Sequence, residues 1–232
     1  MPVALFGKTQ TKRDFIAPGA PRAFLDVWEP WMQAGLATSR MLLDRAWQQS
    51  FLTAPIWRFW MGEAVMGQTC LGAFMPSLDS IGRYYPLAAI ATPARGLSIP
   101  PPELDLQESW FAAIEDFLLA TLDPGQSWEA ITAGLAALPE PALAAPAAPA
   151  PGMRALGAGF AARLDAAAPG EIFADLRRAD WGAHFAGRSF FWTAGGEGFA
   201  PLAVGCRGLP PAEAFTLFLT GDFSAAGAAV PA

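Results

Sequence analysis

The segment Ala54–Ala91, APIWRFWMGEAVMGQTCLGAFMPSLDSIGRYYPLAAIA, contains three short apolar runs, each about as long as a β-strand. The runs are Ile56–Met61, Thr69–Met75 and Tyr84–Ala91, and Gly, Pro, Ser and Asp residues separate them. Because those residue types favour turns, the pattern predicts an antiparallel meander of three strands. We expect the rest of the chain to pack around this meander.

Arg58 lies inside the first of these runs, between Trp57 and Phe59. Since side chains alternate along a strand, Trp57 and Phe59 face one way, and Arg58 shares the opposite face with apolar neighbours. A guanidinium among apolar side chains must reach water or meet a carboxylate. We therefore predict an acidic partner for Arg58, with Asp14 or Asp79 as the leading candidates.

Three stretches of the sequence carry a resemblance to a known family: WRFWMG at residues 57–62, GAFMPSLDSIGRYYPL at 72–87, and residues 5–40. They resemble the TagF family, also called ImpM, of type VI secretion-associated proteins. The resemblance is close up to Ala91 and looser beyond it. It implies a non-enzymatic cytoplasmic regulator that represses secretion after translation. Contact with the forkhead-associated scaffold protein Fha, alongside a kinase–phosphatase pair, is the implied mechanism.

The N-terminal loop at residues 8–19 is one of two loops that match the family pattern. Gly7, Asp14 and Phe15 resemble the family's GDF-type opening, with Arg13 at a position where a Gly is common. A Pro-Gly pair closes the loop, as is typical of turns. Three basic residues of this loop are expected to be ordinary solvated surface: Lys8, Lys12 and Arg13.

The second loop, Pro76–Arg83, connects two strands of the predicted meander. Ser77 and Asp79 can each bond local backbone amides, and Arg83 can pair with Asp79 or stack on the tyrosines that follow it. Two interpretations stay open. Either these side chains only hold the loops to the sheet, or Arg83, which has more donors than a turn needs, contributes to a protein-binding surface. The candidate partner-binding residues are Asp14, Phe15, Ser77, Asp79 and Arg83.

The composition limits the class of protein. Apolar residues make up 53% of the 232 residues and charged residues only 16%, which is typical of a globular chain with a sizeable core. A net charge of −6 and a pI near 4.8 disfavour nucleic acid as a partner. No apolar run is long enough for a membrane-spanning helix, and the first residues do not resemble a signal peptide. We expect a soluble cytoplasmic protein.

Motifs for catalysis and metal binding are absent from the sequence. His184 is the only histidine, and Cys70 and Cys206 lie far apart. CxxC, P-loop, dinucleotide-binding and Gly-x-Ser-x-Gly patterns do not occur. We therefore expect no enzymatic activity, no metal and no cofactor. The alternatives are a structural component of the secretion apparatus, or a hydrolase or transferase that uses His184 with a nearby Ser or Asp.

Helices are predicted on both sides of the meander in the sequence. Apolar residues at helical spacing predict helix from Pro21 to Phe51, either kinked or restarted at Pro30. The same spacing predicts a helix over Leu104–Leu122 and another that Ser127 caps.

The C-terminal third begins with the Ala/Pro-rich sequence PEPALAAPAAPAPG at residues 139–152, in which nothing is expected to pack. Beyond it, short helices are predicted within Ala161–Asp175. Ser189–Thr193 is a predicted strand to which Leu202–Gly205 pairs back, and Pro211–Gly221 is a predicted short helix.

These elements predict an α+β fold with a mostly antiparallel sheet, built on a three-strand meander, and helices packed on it. The arrangement is similar to longin or roadblock-type adaptor folds. Val3–Phe6 is expected to form an edge or opening strand. We predict a main domain at residues 1–138, a linker at 139–152, and a C-terminal segment at 153–232 that completes or flanks the same domain.

Overall fold

The predicted meander lies at the centre of a six-stranded sheet in the computed structural model, which describes residues 3–144, 152–157, 159–164 and 169–222. Every pairing within this sheet is antiparallel. In the order in which they lie side by side, its strands are β1 (Ala4–Gly7), β4 (Leu87–Ala91), β3 (Cys70–Met75), β2 (Trp57–Met61), β7 (Arg188–Thr193) and β8 (Leu202–Arg207). The predicted meander and the predicted edge strand near the N-terminus are confirmed.

Helices cover both faces of the sheet, because its central strands carry large apolar side chains on both sides. Trp57 and Phe59 enter one core, and Trp60 enters the other, as the predicted alternation requires. The first core contains side chains from α1 (Arg22–Leu43), α2 (Trp47–Thr53), α3 (Glu63–Met66) and α8 (Phe215–Thr220). The second contains side chains from α4 (Glu108–Ala120), α5 (Trp128–Ala137) and α7 (Trp181–Phe185). The α+β prediction is confirmed, and the longin or roadblock likeness stays a prediction.

Helix α1 supplies the largest side chains of the first core. Of the two alternatives predicted at Pro30, a kink or a restart, the restart is wrong, because α1 runs through this residue and ends only at Leu43. Trp28 and Trp31 are buried against Phe59 and Phe191 of the sheet. Gly35 lets α1 and α8 approach closely, since a Cβ there would lie 2.5 Å from Cδ2 of Phe215.

Helix α4 begins later than predicted. The side chain of Asp105 accepts a hydrogen bond from the Gln107 amide at 2.9 Å, and Gln107 adopts a φ of 50°. This turn delays the helix to Glu108, so the predicted start at Leu104 is wrong. The predicted cap of α5 is confirmed, because the Ser127 hydroxyl accepts a hydrogen bond from the Ala130 amide at 3.1 Å.

The start of the Ala/Pro-rich stretch is held to α4. The Gln107 side chain donates to the carbonyl of Ala142 at 3.1 Å and accepts from its amide at 2.8 Å. Trp110 Nε1 donates to the carbonyl of Pro139 at 2.9 Å, and Pro141 is buried. The expectation that nothing in this stretch packs is therefore wrong for its first residues. Residues 145–151 lie outside the described part of the chain.

The segment after residue 152 contributes two strands to the main sheet. β7 pairs with β2, and β8 pairs back onto β7, which confirms the predicted strand and its return. A separate hairpin of β5 (Met153–Leu156) and β6 (Gly159–Ala162) was not predicted. Of the region Ala161–Asp175, in which short helices were predicted, the part from Pro169 lies in α6 (Pro169–Ala179), and residues 165–168 lie outside the described chain.

Candidate functional site

Asp79 accepts hydrogen bonds within its own loop, which connects β3 and β4. Its side chain is fully buried. Oδ1 accepts hydrogen bonds from the backbone amides of Ile81 at 3.1 Å and Arg83 at 2.9 Å. The predicted bonding of Asp79 to local backbone amides is therefore confirmed, and the carboxylate fixes the course of the loop.

The second oxygen of Asp79 joins this loop to the N-terminal loop. Oδ2 accepts from Lys8 Nζ at 2.8 Å and from Arg83 Nε at 2.6 Å. The expectation that Lys8 is solvated surface is wrong, because Lys8 is only 5% exposed. The position of Lys8 directly after the first strand was the available signal, since the residue continues that strand's buried backbone into the loop.

The charge of Asp79 is stabilised by its donors. Burial alone would raise the pKa of this carboxyl, but the hydrogen bonds from Lys8 and Arg83 hold its pKa well below the ordinary value. Asp79 is therefore an anion throughout the physiological pH range. The carboxylate therefore joins the two loops, and its loss would leave the buried ammonium of Lys8 without a counter-charge.

Ser77 provides a second connection between the loops. Its hydroxyl is buried and donates to the backbone carbonyl of Lys8 at 2.8 Å. The prediction of a bond to a local amide is wrong for Ser77, since the hydroxyl reaches a carbonyl of the other loop. The backbone amide of Ser80 also donates to the carbonyl of Lys12, at 3.0 Å. Contacts at several points thus fix the relative position of the two loops.

Arg83 connects this buried centre to the surface. Its Nε contacts Asp79, whereas its side chain is 51% exposed. Nη2 donates to the backbone carbonyl of Arg13 and lies 3.5 Å from Oδ1 of Asp14. The Asp14 side chain is 90% exposed, so this ion pair is weak and leaves both groups accessible.

Phe15 is partly exposed, but its ring packs against two other aromatic rings. It is 47% exposed, although it stacks on Phe6 at 5.9 Å and meets the ring of Tyr85 edge-on at 4.7 Å. The ammonium of Lys8 lies 5.1 Å from the centre of the Phe15 ring. An exposed aromatic side chain on a rigid support is typical of interface anchors.

All five sequence-predicted partner-binding residues lie in these two joined loops. Ser77 and Asp79 are buried and hold the loops together. Asp14, Phe15 and Arg83 are exposed above them. The contribution of Lys8 was not predicted, since the partners Lys8 and Asp79 are 71 positions apart in the sequence.

Arg58 pairs with two carboxylates, neither of which was predicted. Nε and Nη2 donate to the two oxygens of Glu115 at 2.6 and 3.1 Å, and Nη1 donates to Glu108 at 2.6 Å. The predicted partners, Asp14 and Asp79, are wrong because α4 covers this face of β2 and supplies both acids. The guanidinium also lies 4.9 Å from the centre of the Phe111 ring. Arg58 therefore fastens α4 to the sheet.

His184 lies on the short helix α7 beside Asp180, which precedes it by one turn. Its Nδ1 is 3.2 Å from the Asp180 carbonyl and 3.8 Å from the carboxylate, and the side chain is 49% exposed. Within the described ranges, no group of His, Cys, Asp and Glu side chains is arranged to hold a metal ion. Among the helices that the structure describes, none is both long and apolar enough to cross a membrane.

Comparison with known proteins shows similarity to a protein family and to a solved structure. Residues 4–138 match the family model described as TagF N-terminal domain, Type VI secretion system-associated. The crystal structure of PA0076 from Pseudomonas aeruginosa PAO1 is similar to this chain, with 31% sequence identity and a TM-score of 0.78. The alignment covers 99% of this chain and 97% of PA0076. No curated protein matches.

Proposed function

Because this chain belongs to the TagF family of type VI secretion-associated proteins, we propose that it is an accessory cytoplasmic regulator of type VI secretion. It represses assembly or firing after translation, through contact with the forkhead-associated scaffold protein of the system. In this mechanism the chain is not an enzyme. It occupies a surface of its partner and changes no covalent bond.

The observation that supports this proposal is the rigid pair of loops centred on Asp79. A buried carboxylate between Lys8 and Arg83 fixes both loops before any partner arrives. Binding then requires little further ordering of the chain, so more of the contact free energy is available as affinity. Arg is one of the residue types that dominate binding energy at protein interfaces, and Phe is enriched there.

Capture of the scaffold protein tests the proposal. The purified chain is immobilised, and binding of the purified forkhead-associated scaffold is measured for wild type and for the variants Arg83→Ala and Asp14→Ala. Arg207→Ala is the matched control, because Arg207 is exposed on β8, at the edge of the sheet opposite β1. We expect the Arg83 variant to weaken capture at least about tenfold, as for an interface hot spot, and the control to leave it unchanged.

Each variant also needs a thermal unfolding curve. In Arg83→Ala, Lys8 still pairs with Asp79, so the variant is expected to unfold well above the assay temperature. Unchanged capture by Arg83→Ala, or loss of capture only together with unfolding, would reduce Arg83 to a structural residue. Stoichiometric recovery of the chain in the assembled apparatus would instead favour a structural component.

A further inference from the structure

The exposed surface of the two joined loops has the opposite charge from the chain as a whole. Lys12, Arg13 and Arg83 contribute three positive charges, and Asp14 contributes one negative charge. Lys8 and Asp79 are buried and cancel each other. Lys12 is half-buried and the other three are exposed, so the charges that the loops present at the surface sum to +2, within a chain whose net charge is −6. Such a contrast attracts an anionic partner to this part of the surface.

Lys12 extends this basic surface toward α5. Its backbone carbonyl accepts from the Ser80 amide, so its position is fixed by the second loop. Its ammonium lies 4.9 Å from the centre of the Trp128 ring on α5. An ammonium held over an indole face keeps its charge at a defined place instead of sampling many rotamers.

Two large apolar side chains lie within the same pair of loops. Phe15 is 47% exposed and Ile81 is 53% exposed. Ile81 cannot move away freely, because its amide donates to Asp79. Apolar anchors surrounded by charged groups have the composition of a protein interface, whereas nucleic acid sites rely on much larger basic surfaces.

A buried donor beneath Phe15 is a further, independent feature of this surface. Tyr85 is only 5% exposed and contacts the Phe15 ring, yet its hydroxyl has no hydrogen-bond partner within the described residues. Burial raises the pKa of this hydroxyl, and the carboxylate of Glu29 on α1 adds to the rise. An unsatisfied buried donor is unfavourable, and this one belongs to the side chain that supports Phe15.

We propose that this surface binds an acidic segment of the partner protein that also carries a large apolar side chain. Carboxylates of the segment pair with Lys12, Arg13 and Arg83, and the apolar side chain packs against Phe15 and Ile81. The inference rests on the proposed function, because it gives the chemistry of the partner that the two loops contact.

The direct test uses labelled synthetic peptides and fluorescence anisotropy. One peptide has Asp and Glu flanking a central Phe, a second has Lys in place of the acids, and a third has Ser in place of the Phe. We expect the acidic peptide with Phe to bind best and to weaken at high salt. Equal binding of the acidic and basic peptides, or no binding of either, would overturn the inference.

Charge reversal identifies the surface. The double variant Lys12→Glu/Arg13→Glu should bind the acidic peptide at least about tenfold more weakly, since like charges then face each other. Lys12→Gln/Arg13→Gln is the milder substitute if the reversal prevents folding. Arg207→Glu is the control and should bind as wild type. If the control weakened binding as much as the loop variants, the peptide would be responding to net charge and the inference would be wrong.

Capture of the scaffold protein by the same variants separates this inference from the proposed function. If the charge-reversed variant captured the scaffold as well as wild type does, the acidic-segment inference would be wrong while the proposed function stood. If wild type bound the acidic peptide but not the scaffold, the proposed function would fail and the chemistry of the surface would stand. If the loop variants lose peptide binding and scaffold capture while the control keeps them, the inference and the proposed function are both supported.

Discussion

Asp79 is the charged centre of the contact between the two loops. Both of its oxygens are used, one by backbone amides of its own loop and one by Lys8 and Arg83. Lys8 has no room to reach water, because it is 5% exposed. The stability of the site therefore depends on charge as well as on shape.

Replacement of Asp79 by Asn tests this dependence. Asn keeps the size of the side chain and one acceptor for the amides, but it leaves Lys8 buried without an anion. Breaking a buried pair in this way typically costs about 3–5 kcal/mol of unfolding free energy. Urea denaturation measures the loss. Asp14→Asn is the control and should change stability by less than about 0.5 kcal/mol, because its side chain is 90% exposed.

The pKa of Asp79 predicts how this contribution varies with pH. The folded state lowers the pKa of this carboxyl below its unfolded value of about 3.9. As the pH falls, the unfolded state therefore binds a proton before the folded state does. The stabilisation of the folded protein by ionised Asp79 is complete above about pH 4 and is lost as the pH falls further. The difference in unfolding free energy between wild type and the Asp79→Asn variant should therefore be constant near neutrality and shrink in acid. If this difference in unfolding free energy stayed the same at acidic pH, the lowered pKa of Asp79 would be contradicted.

At the residue scale, the sequence predicted contacts that are local and missed those that are distant. Pairing of Asp79 with Arg83 follows from a four-residue spacing and turn chemistry. Pairing of Asp79 with Lys8 depends on β1 lying beside β4, and no local pattern encodes that register. For the same reason, Arg58 was given the wrong partners: its acids come from the helix that crosses its face, 50 and 57 positions away.

At the scale of elements, the ion pairs of Arg58 attach α4 to the central strand β2. The two acids are not equivalent. Glu115 is 24% exposed and binds the guanidinium through both oxygens, whereas Glu108 is 63% exposed and uses one. Water already screens the Glu108 interaction, and it screens the Glu115 interaction much less.

Substitution of each acid by Gln should show this difference. We expect Glu115→Gln to lower the unfolding free energy by about 3 kcal/mol, since it leaves a nearly buried guanidinium poorly paired. Glu108→Gln should cost below about 1 kcal/mol. Equal losses for both variants in urea titrations would mean that the exposed acid contributes as much as the covered one, which would contradict the geometry.

The elements that the sequence predicted well are those with a strong hydrophobic period. β2 and β3 are rich in aromatic and other large apolar residues, and α1 carries an apolar stripe over six turns. The hairpin of β5 and β6 has the strand sequences MRAL and GFAA, which are short and show no sustained alternation of large apolar and polar side chains. The late start of α4 was missed because a single turn at Asp105 outweighs an apolar pattern that continues through it.

In the molecule as a whole, residues that follow the Ala/Pro-rich stretch belong to the first core, on the α1 side of the sheet. Trp31 Nε1 donates to the carbonyl of Pro210 at 2.8 Å, and Trp57 Nε1 donates to that of Phe218 at 2.9 Å. Phe191 on β7 is fully buried against Trp31. Residues 4–138, which match the family model, therefore share their core with residues that follow it.

A chain that ends at residue 138 should accordingly fail to fold cooperatively. β2 would lose the neighbouring strand β7, and Trp31, Trp57 and Phe59 would lose the side chains that cover them. The shortened chain should show a broad thermal transition by circular dichroism and bind a hydrophobic dye. Full-length chain with residues 145–149 replaced by Gly and Ser is the control, and it should melt like wild type because Ala and Pro bury little area. A sharp transition of the shortened chain near that of the full chain would show that residues 1–138 form an independent domain.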